Sequence, residues 1–155
     1  MEKMPFNIRK INEGDRAAFI EMSRDFYSSP AVLHDVPDDY HARAFAELMR
    51  SDEYLECLIF ETPEGGCAGY ALLTKTYSRE AGGIAVWVDE LFVRQEFRGH
   101  GIGGSFFDWM SENIPAARYR LETEPENEGA RRLYARHGYE EFPYLQMVKE
   151  NPSFQ

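Results

Sequence analysis

Residues 6–11, Phe-Asn-Ile-Arg-Lys-Ile, alternate apolar and polar side chains and predict a half-buried strand. Asn12 to Asp15 supply N-cap side chains, and Phe19, Met22 and Phe26 then recur at i, i+3 and i+7. That stripe predicts a helix over about 15–27, closed by Ser28-Ser29-Pro30. Pro37 suits the first turn of a second helix with the stripe Ala44, Phe45, Leu48 and Met49. Residues 54–61 and 68–77 are strand-like runs joined by Pro63-Glu64-Gly65-Gly66, which predicts an antiparallel hairpin. After Ala81-Gly82-Gly83, residues 84–93 are apolar on both faces and predict a central strand, in which Asp89 and Glu90 are anomalous. Gly99 to Gly104 open a helix carrying Ile102, Phe106, Met110 and Ile114, and Pro115 stops it. A weaker strand over 118–123 and a helix from Asn127 to about His137 follow, with Gly138 at the C′ position. A last strand is predicted from Tyr139 towards Val148, interrupted by Pro143. The order β-α-α-β-β-β-α-β-α-β, without internal repeat or linker, predicts one mixed α/β domain over residues 1–155.

Composition narrows the class of partner. Hydrophobic residues make up 43% and charged ones 28%, which excludes a disordered or low-complexity chain. Asp and Glu total 27 against 17 Lys and Arg, a net charge of −10 that argues against nucleic acid and favours cationic partners. Residues 1–10 hold no apolar leader and no segment approaches a membrane span, so a cytoplasmic location without membrane contact is expected. Cys57 and Cys67 form no C-x-x-C pair, and His34, His41, His100 and His137 lack ligand spacing, so no metal is expected. Both thiols read as reduced, packed side chains.

Residues 98–104, Arg-Gly-His-Gly-Ile-Gly-Gly, lie between a buried strand and a helix N-terminus, where free amides and the positive dipole end converge on an anion. Glycine keeps the approach to those amides open and permits positive φ. Gly99, Gly101 and Gly104 also spell G-x-G-x-x-G, with Glu122 or Glu124 near the spacing of a ribose-binding acid. Against a dinucleotide site, Arg94 to Arg98 separate strand from turn, antiparallel strands precede the motif, and too little chain follows for further parallel units.

The run V-D-E-L-F-V-R-Q-E-F-R-G-H-G-I-G-G-S-F-F-D-W-M over residues 88–110 resembles motif A of the GCN5-related N-acetyltransferases (GNAT), whose pattern is Q/R-x-x-G-x-G/A. Residues 127–139 resemble the second signature, N-x-x-A-x-x-L-Y-x-x-x-G-F, with Tyr139 in place of the commoner Phe. The element order agrees across essentially the whole chain, although before Tyr54 the likeness is one of pattern alone.

The resemblance implies a GNAT-type acyl-CoA N-acyltransferase fold and acetyl-CoA as cosubstrate. Its pantetheine arm would pair with backbone of Leu91, Phe92 and Val93, and its diphosphate would sit on amides of Arg98, Gly99, His100, Gly101, Ile102, Gly103 and Gly104. His100 either touches a phosphate or points to solvent. Asn127, Ala130 and Tyr134 share one helix face. By resemblance Asn127 would bond the pantetheine arm and Tyr134 would protonate the departing thiolate, although an N-cap and a core aromatic are the plainer roles for the two. A protonated amine must lose its proton before attack, and Asp89 and Glu90 are both candidates for the base; adjacent strand residues face opposite sides, so one of them is expected to reach the acetyl group. A backbone N–H near Leu91 would polarise the thioester carbonyl. Glu122, Glu124, Asp35, Asp38, Asp39 and Tyr40 form either an acidic rim for a cationic acceptor or an ordinary solvated surface.

The reading is therefore an N-acetyltransferase acting on a primary amine of a small, cationic molecule by direct attack. Acetylation of a protein lysine or N-terminus, and acyl-CoA sensing without turnover, stay open beside it. A homodimer is expected from the edge that the last strand presents.

Overall fold

The computed structural model describes residues 5–154; residues 1–4, part of the segment read as lacking a leader, lie outside them. Five strands form one sheet in the order β1-β2-β3-β4-β5: β1 Asn7–Lys10, β2 Leu55–Glu61, β3 Cys67–Ser78, β4 Gly83–Val93 and β5 Arg118–Leu121. The first three pairings are antiparallel and β4–β5 is parallel. Helices α1 (Arg16–Tyr27) and α2 (Asp39–Arg50) cover one face, α3 (Ile102–Asn113) covers the other, and α4 (Glu128–Arg136) follows β5. No helix among the described residues is long and apolar enough to cross a membrane.

The periodicities explain the two layers. Phe19, Met22 and Phe26 of α1 and Phe45 and Leu48 of α2 pack on Ile59, Tyr70 and Phe92. Ile102, Phe106, Phe107 and Met110 of α3 pack on Leu58, Phe60, Leu73 and Val86 from the opposite side. Each fully buried apolar side chain contributes about 1.5–3 kcal/mol, so these clusters hold the sheet between its helices. Asn12 and Asp15 complete a capping box on a short 3-10 turn, Glu13–Asp15, which precedes α1. Arg9 of β1 grips both carboxylate oxygens of Asp15 at 2.8 Å and Glu61 of β2 at 2.7 Å, fixing that turn to the sheet edge.

Residues 139–148, expected to be a strand, take no part in the sheet. Pro143 has no N–H to give a ladder, and side chains hold the segment instead. The Phe142 ring lies 5.0 Å from the guanidinium of Arg118 and 5.1 Å from that of Arg120. Tyr144 donates to Glu80 at 2.7 Å, and Arg131 pairs with Glu141 at 2.7 Å. Leu145 and Met147 are left 90% exposed, and among the described residues β5 is an edge strand whose only strand partner is β4.

Candidate active site

Two irregularities of β4 create the site. Leu73 faces Val88 and Leu72 faces Glu90, so Asp89 is an extra residue, a bulge with no partner on β3. Before it, Val86 and Val88 point to the α3 face; after it, Glu90 and Phe92 point to the α1/α2 face and Leu91 returns to the α3 side. The parallel ladder to β5 ends at Val88–Leu121, so residues 89–93 have no strand partner on that side and the two strands part. On the β3 side the approach is close: a Cβ on Gly69, opposite Val93, would sit 2.1 Å from the Phe92 carbonyl oxygen.

A cleft of about 600 Å³ opens where the strands part. Val88, Asp89 and Leu91 line it from β4, Leu121 to Glu124 from the end of β5, and Asn127 and Tyr134 from around α4. Phe26, Ser29, Pro30 and Ala31, at the end of α1, close its remaining side. A larger groove of about 1490 Å³ shares Leu121, Glu122, Thr123 and Tyr134 with it and runs along β5, α4 and residues 138–146. The smaller cleft alone is lined by one of the two β4 carboxylates, Asp89.

The bulge separates those two acids. Asp89 opens into the cleft, its carboxyl pushed above the usual range first by partial burial and then by the charge of Glu122, while the Thr74 hydroxyl pulls the other way. Glu90 is 8% exposed and turned into the core. Its Oε1 accepts from the Tyr70 hydroxyl at 2.6 Å and its Oε2 from Tyr27 at 3.1 Å. Burial still raises its carboxyl above the usual range, against the pull of both phenols. The bulge at Asp89 thus turns one acid to the cleft and the other to the core.

The glycine turn leaves a helix N-terminus uncapped. Gly99 and Gly101 have φ of +81° and +78°, in the left-handed region that favours glycine. Gly101 is the N-cap of α3 with no side chain to cap it, and the first amide turned back onto the helix is that of Ser105, to the Gly101 carbonyl at 3.0 Å. The amides of Ile102, Gly103 and Gly104 therefore point out of the helix end. Gly103 and Gly104 face Leu133 and His137, which sets α4 against this turn. Arg98 folds back on β4, donating from Nε to the Val93 carbonyl at 2.8 Å, and lines the cleft; His100 is half-buried.

Asn127 caps α4, its Oδ1 accepting from the Ala130 amide at 3.1 Å, and it also lines the cleft. The cap occupies the carbonyl end of the side chain and leaves its NH₂ donors. The Tyr134 ring packs edge-on against Phe107 at 5.6 Å, while its hydroxyl has no hydrogen-bond partner among the described residues. Burial raises that phenol above its usual range. Core packing and access to the cleft thus meet in one residue.

Of the expected acidic rim, Glu122 and Glu124 line the cleft, joined by Glu126. Asp35, Asp38, Asp39 and Tyr40 do not: Asp38 is bound by Arg24 at 2.8 Å, Asp39 by Arg43 at 3.0 Å, and Tyr40 lies under Arg43. Sequence reasoning missed the wall from Phe26 to Ala31 and the tyrosines on Glu90. The helix stop at Ser28-Ser29-Pro30 was a signal for the former; nothing local marks the latter.

The sequence model described as the acetyltransferase (GNAT) family matches residues 17–139. A thialysine N-epsilon-acetyltransferase of Sus scrofa is 26% identical over 137 residues, covering 82% of this chain and 79% of that protein. The uncharacterized N-acetyltransferase YhfO of Bacillus subtilis (strain 168) is 29% identical over 142 residues, covering 87% and 90%. Among solved structures, AAC(6')-Iy in complex with the bisubstrate analog CoA-S-monomethyl-acetylneamine superposes with a TM-score of 0.77 at 19% identity, over 95% of this chain and 99% of that one, a likeness of fold.

Proposed function

Because this chain belongs to the acetyltransferase (GNAT) family, we propose that this N-acetyltransferase transfers the acetyl group of acetyl-CoA to a primary amine of a small, cationic molecule. The observation that carries the reading is the cleft between β4 and β5, lined by one of the two β4 carboxylates, beside a helix N-terminus whose amides are free. Acetyl-CoA is the cosubstrate, and it supplies an activated acetyl thioester. The residues present fit it: the outward amides of Ile102, Gly103 and Gly104 suit a diphosphate, and the unpaired edge of residues 89–93 suits an extended amide-bearing arm. The Asn127 NH₂ group, left over from its cap, serves the same arm.

Asp89 takes the proton from the acceptor's ammonium group. Its raised affinity for protons makes it a stronger base than an ordinary aspartate. The freed amine attacks the thioester carbonyl, polarised by a backbone N–H near Leu91; the C–N bond forms as the C–S bond breaks. Tyr134 gives its phenolic proton to the departing sulfur, the new amide nitrogen releases its second proton to solvent, and Tyr134 is reprotonated from solvent. Asp89, Glu122, Glu124 and Glu126 face the cleft against the single cation Arg98, a balance that favours a positively charged acceptor. Thialysine, in the name of the Sus scrofa relative, and the aminoglycosides, in the name of AAC(6')-Iy as an aminoglycoside N-acetyltransferase, are amines of that kind. The exposed Leu145, Met147 and Val148 support a homodimer, to be tested by light scattering. The two free thiols, Cys57 and Cys67, fit a cytoplasmic location.

Thermal unfolding with acetyl-CoA, and with NAD as control, tests the cosubstrate. At about 100 times Kd, binding adds about 2.7 kcal/mol to stability, and NAD adds none. Polyamines, aminoglycosides and amino acids are then screened by released thiol, with Tyr134→Phe expected to bind acetyl-CoA as before and to lose turnover. No shift with acetyl-CoA refutes the reading. A shift without thiol release from any amine, peptide amines included, makes the chain an acyl-CoA sensor.

A further inference from the structure

We propose that Glu90 is a positioning residue: through Tyr27 it pins the connection between α1 and α2 to the β4 bulge, and so sets the width of the cleft between the wall of residues 26–31 and the strands, the space left for the acceptor when acetyl-CoA lies along β4. Both Glu90 oxygens are taken by phenols, from Tyr70 at 2.6 Å and Tyr27 at 3.1 Å, and its side chain forms no part of the cleft wall. To act as a base it would have to break these bonds and turn out of the core.

The geometry explains why an acid is kept there. Tyr70, on β3, is 0% exposed and packed between Phe19 and Phe92, so it holds Glu90 to a rigid part of the sheet. Tyr27 is the last residue of α1, flanked by Phe26 and followed by Ser29, Pro30 and Ala31, which form the cleft wall facing the two strands. The bond from Tyr27 to Glu90 is thus a tie between that wall and the residue next to Asp89. A second tie runs to α2: the Tyr27 ring lies 5.7 Å from that of His41, whose Nδ1 is 2.7 Å from the Ser23 hydroxyl. Arg24 closes the connection on the outside through both oxygens of Asp38, at 2.8 and 3.0 Å. Among the described residues, the Tyr27 hydroxyl makes the one hydrogen bond that joins residues 27–38 to β4.

The proposal rests on the functional reading above only for its kinetic arm. Hydrogen–deuterium exchange of the free protein needs no acceptor: Tyr27→Phe and Glu90→Gln should each speed exchange of residues 28–38 by about tenfold, the effect of losing a hydrogen bond to a charged group. Exchange in α3 and the midpoint shift with acetyl-CoA should stay as in the parent. With whichever of spermidine, lysine or kanamycin is acetylated, Tyr27→Phe should raise the acceptor KM by about tenfold and hold kcat within about twofold. The double variant should be no worse than the worse single one, because both act on the same Tyr27–Glu90 contact. Unchanged exchange over 28–38 in both variants overturns the proposal, and so does a Glu90→Gln enzyme that loses kcat together with the acid limb of its pH profile. If none of the three amines is acetylated, the kinetic arm falls with that choice of acceptor and the exchange result alone decides this one. Tyr27→Phe keeps the ring and its packing, so it carries the test should Glu90→Gln fail to fold.

Discussion

Replacing Tyr70 with Phe removes one oxygen atom from a site with no exposed surface and leaves the ring's contacts with Phe19 and Phe92 in place. What is lost is the 2.6 Å hydrogen bond to Glu90, whose carboxylate then keeps Tyr27 as its one donor. A hydrogen bond to a buried charged group is worth about 1.5–3 kcal/mol, and in a chain of 155 residues about 2 kcal/mol lowers Tm by about 4–8 °C. The loss depends on pH. Burial already holds Glu90 above the usual carboxyl range in the folded state, and the Tyr70 hydroxyl opposes that shift, so removing it moves the folded value higher still. A folded-state value raised above the unfolded one means that ionisation costs stability as pH rises through it. The difference between parent and variant therefore grows with pH, reaching its full value once Glu90 is ionised in both. At low pH, where Glu90 is protonated in both, it falls towards the roughly 1 kcal/mol of a neutral hydrogen bond. Urea unfolding at two pH values, one below and one above the titration of Glu90 in both proteins, followed by the fluorescence of Trp87 and Trp109, measures both values with m expected unchanged. Equal losses at the two pH values, or none at the higher one, would refute the assignment of Glu90 as a buried, tyrosine-held carboxylate.

Asp89→Asn should lower kcat/KM for the acetylated amine by about 10²–10⁴-fold and abolish the acid limb of the thiol-release pH profile. In the parent that limb should lie above the ordinary aspartate value, because burial and Glu122 raise it; an unchanged profile in Asp89→Asn removes it as the base. Gly101→Ala forces a side chain into a φ of +78°, at a cost of about 1–2 kcal/mol, and adds a methyl group at the mouth of the amide turn. Its urea midpoint should fall and its stabilisation by acetyl-CoA should shrink, both read from melts with and without the ligand. The Arg9 guanidinium holds the Asp15 carboxyl below the usual range, so the pair contributes stability present above the unfolded value and lost as pH falls through the folded one. Arg9→Gln should therefore unfold at a higher pH in an acid titration monitored by circular dichroism.

The sheet and its helices were legible because each element writes its environment into a short window. The stripes Phe19-Met22-Phe26 and Ile102-Phe106-Met110 became the faces of α1 and α3 that cover the sheet, and the apolar run ending at Val93 became a strand buried on both sides. The turn at 98–104 was legible for the same reason: glycines between a buried strand and a helix start have few uses, and two of them take positive φ. The segment after Tyr139 misled because alternation reports what a strand could bury, whereas pairing also needs an N–H at each ladder position, and Pro143 has none.

Local pattern, then, determined by itself the five strands and four helices that form, the glycine turn at the start of α3, and that two acids lie where a strand should be apolar. It could not determine which acid faces the cleft. A bulge exists only as a mismatch between two strands, here Leu72 and Leu73 against Glu90 and Val88, and no window of sequence around Asp89 contains its partner. The tyrosines on Glu90 come from positions 63 and 20 residues away, and the wall from Phe26 to Ala31 meets β4 only after the sheet has formed. Tertiary structure decided these, because a carboxyl group's exposure and proton affinity are set by what folds against it rather than by its neighbours along the chain.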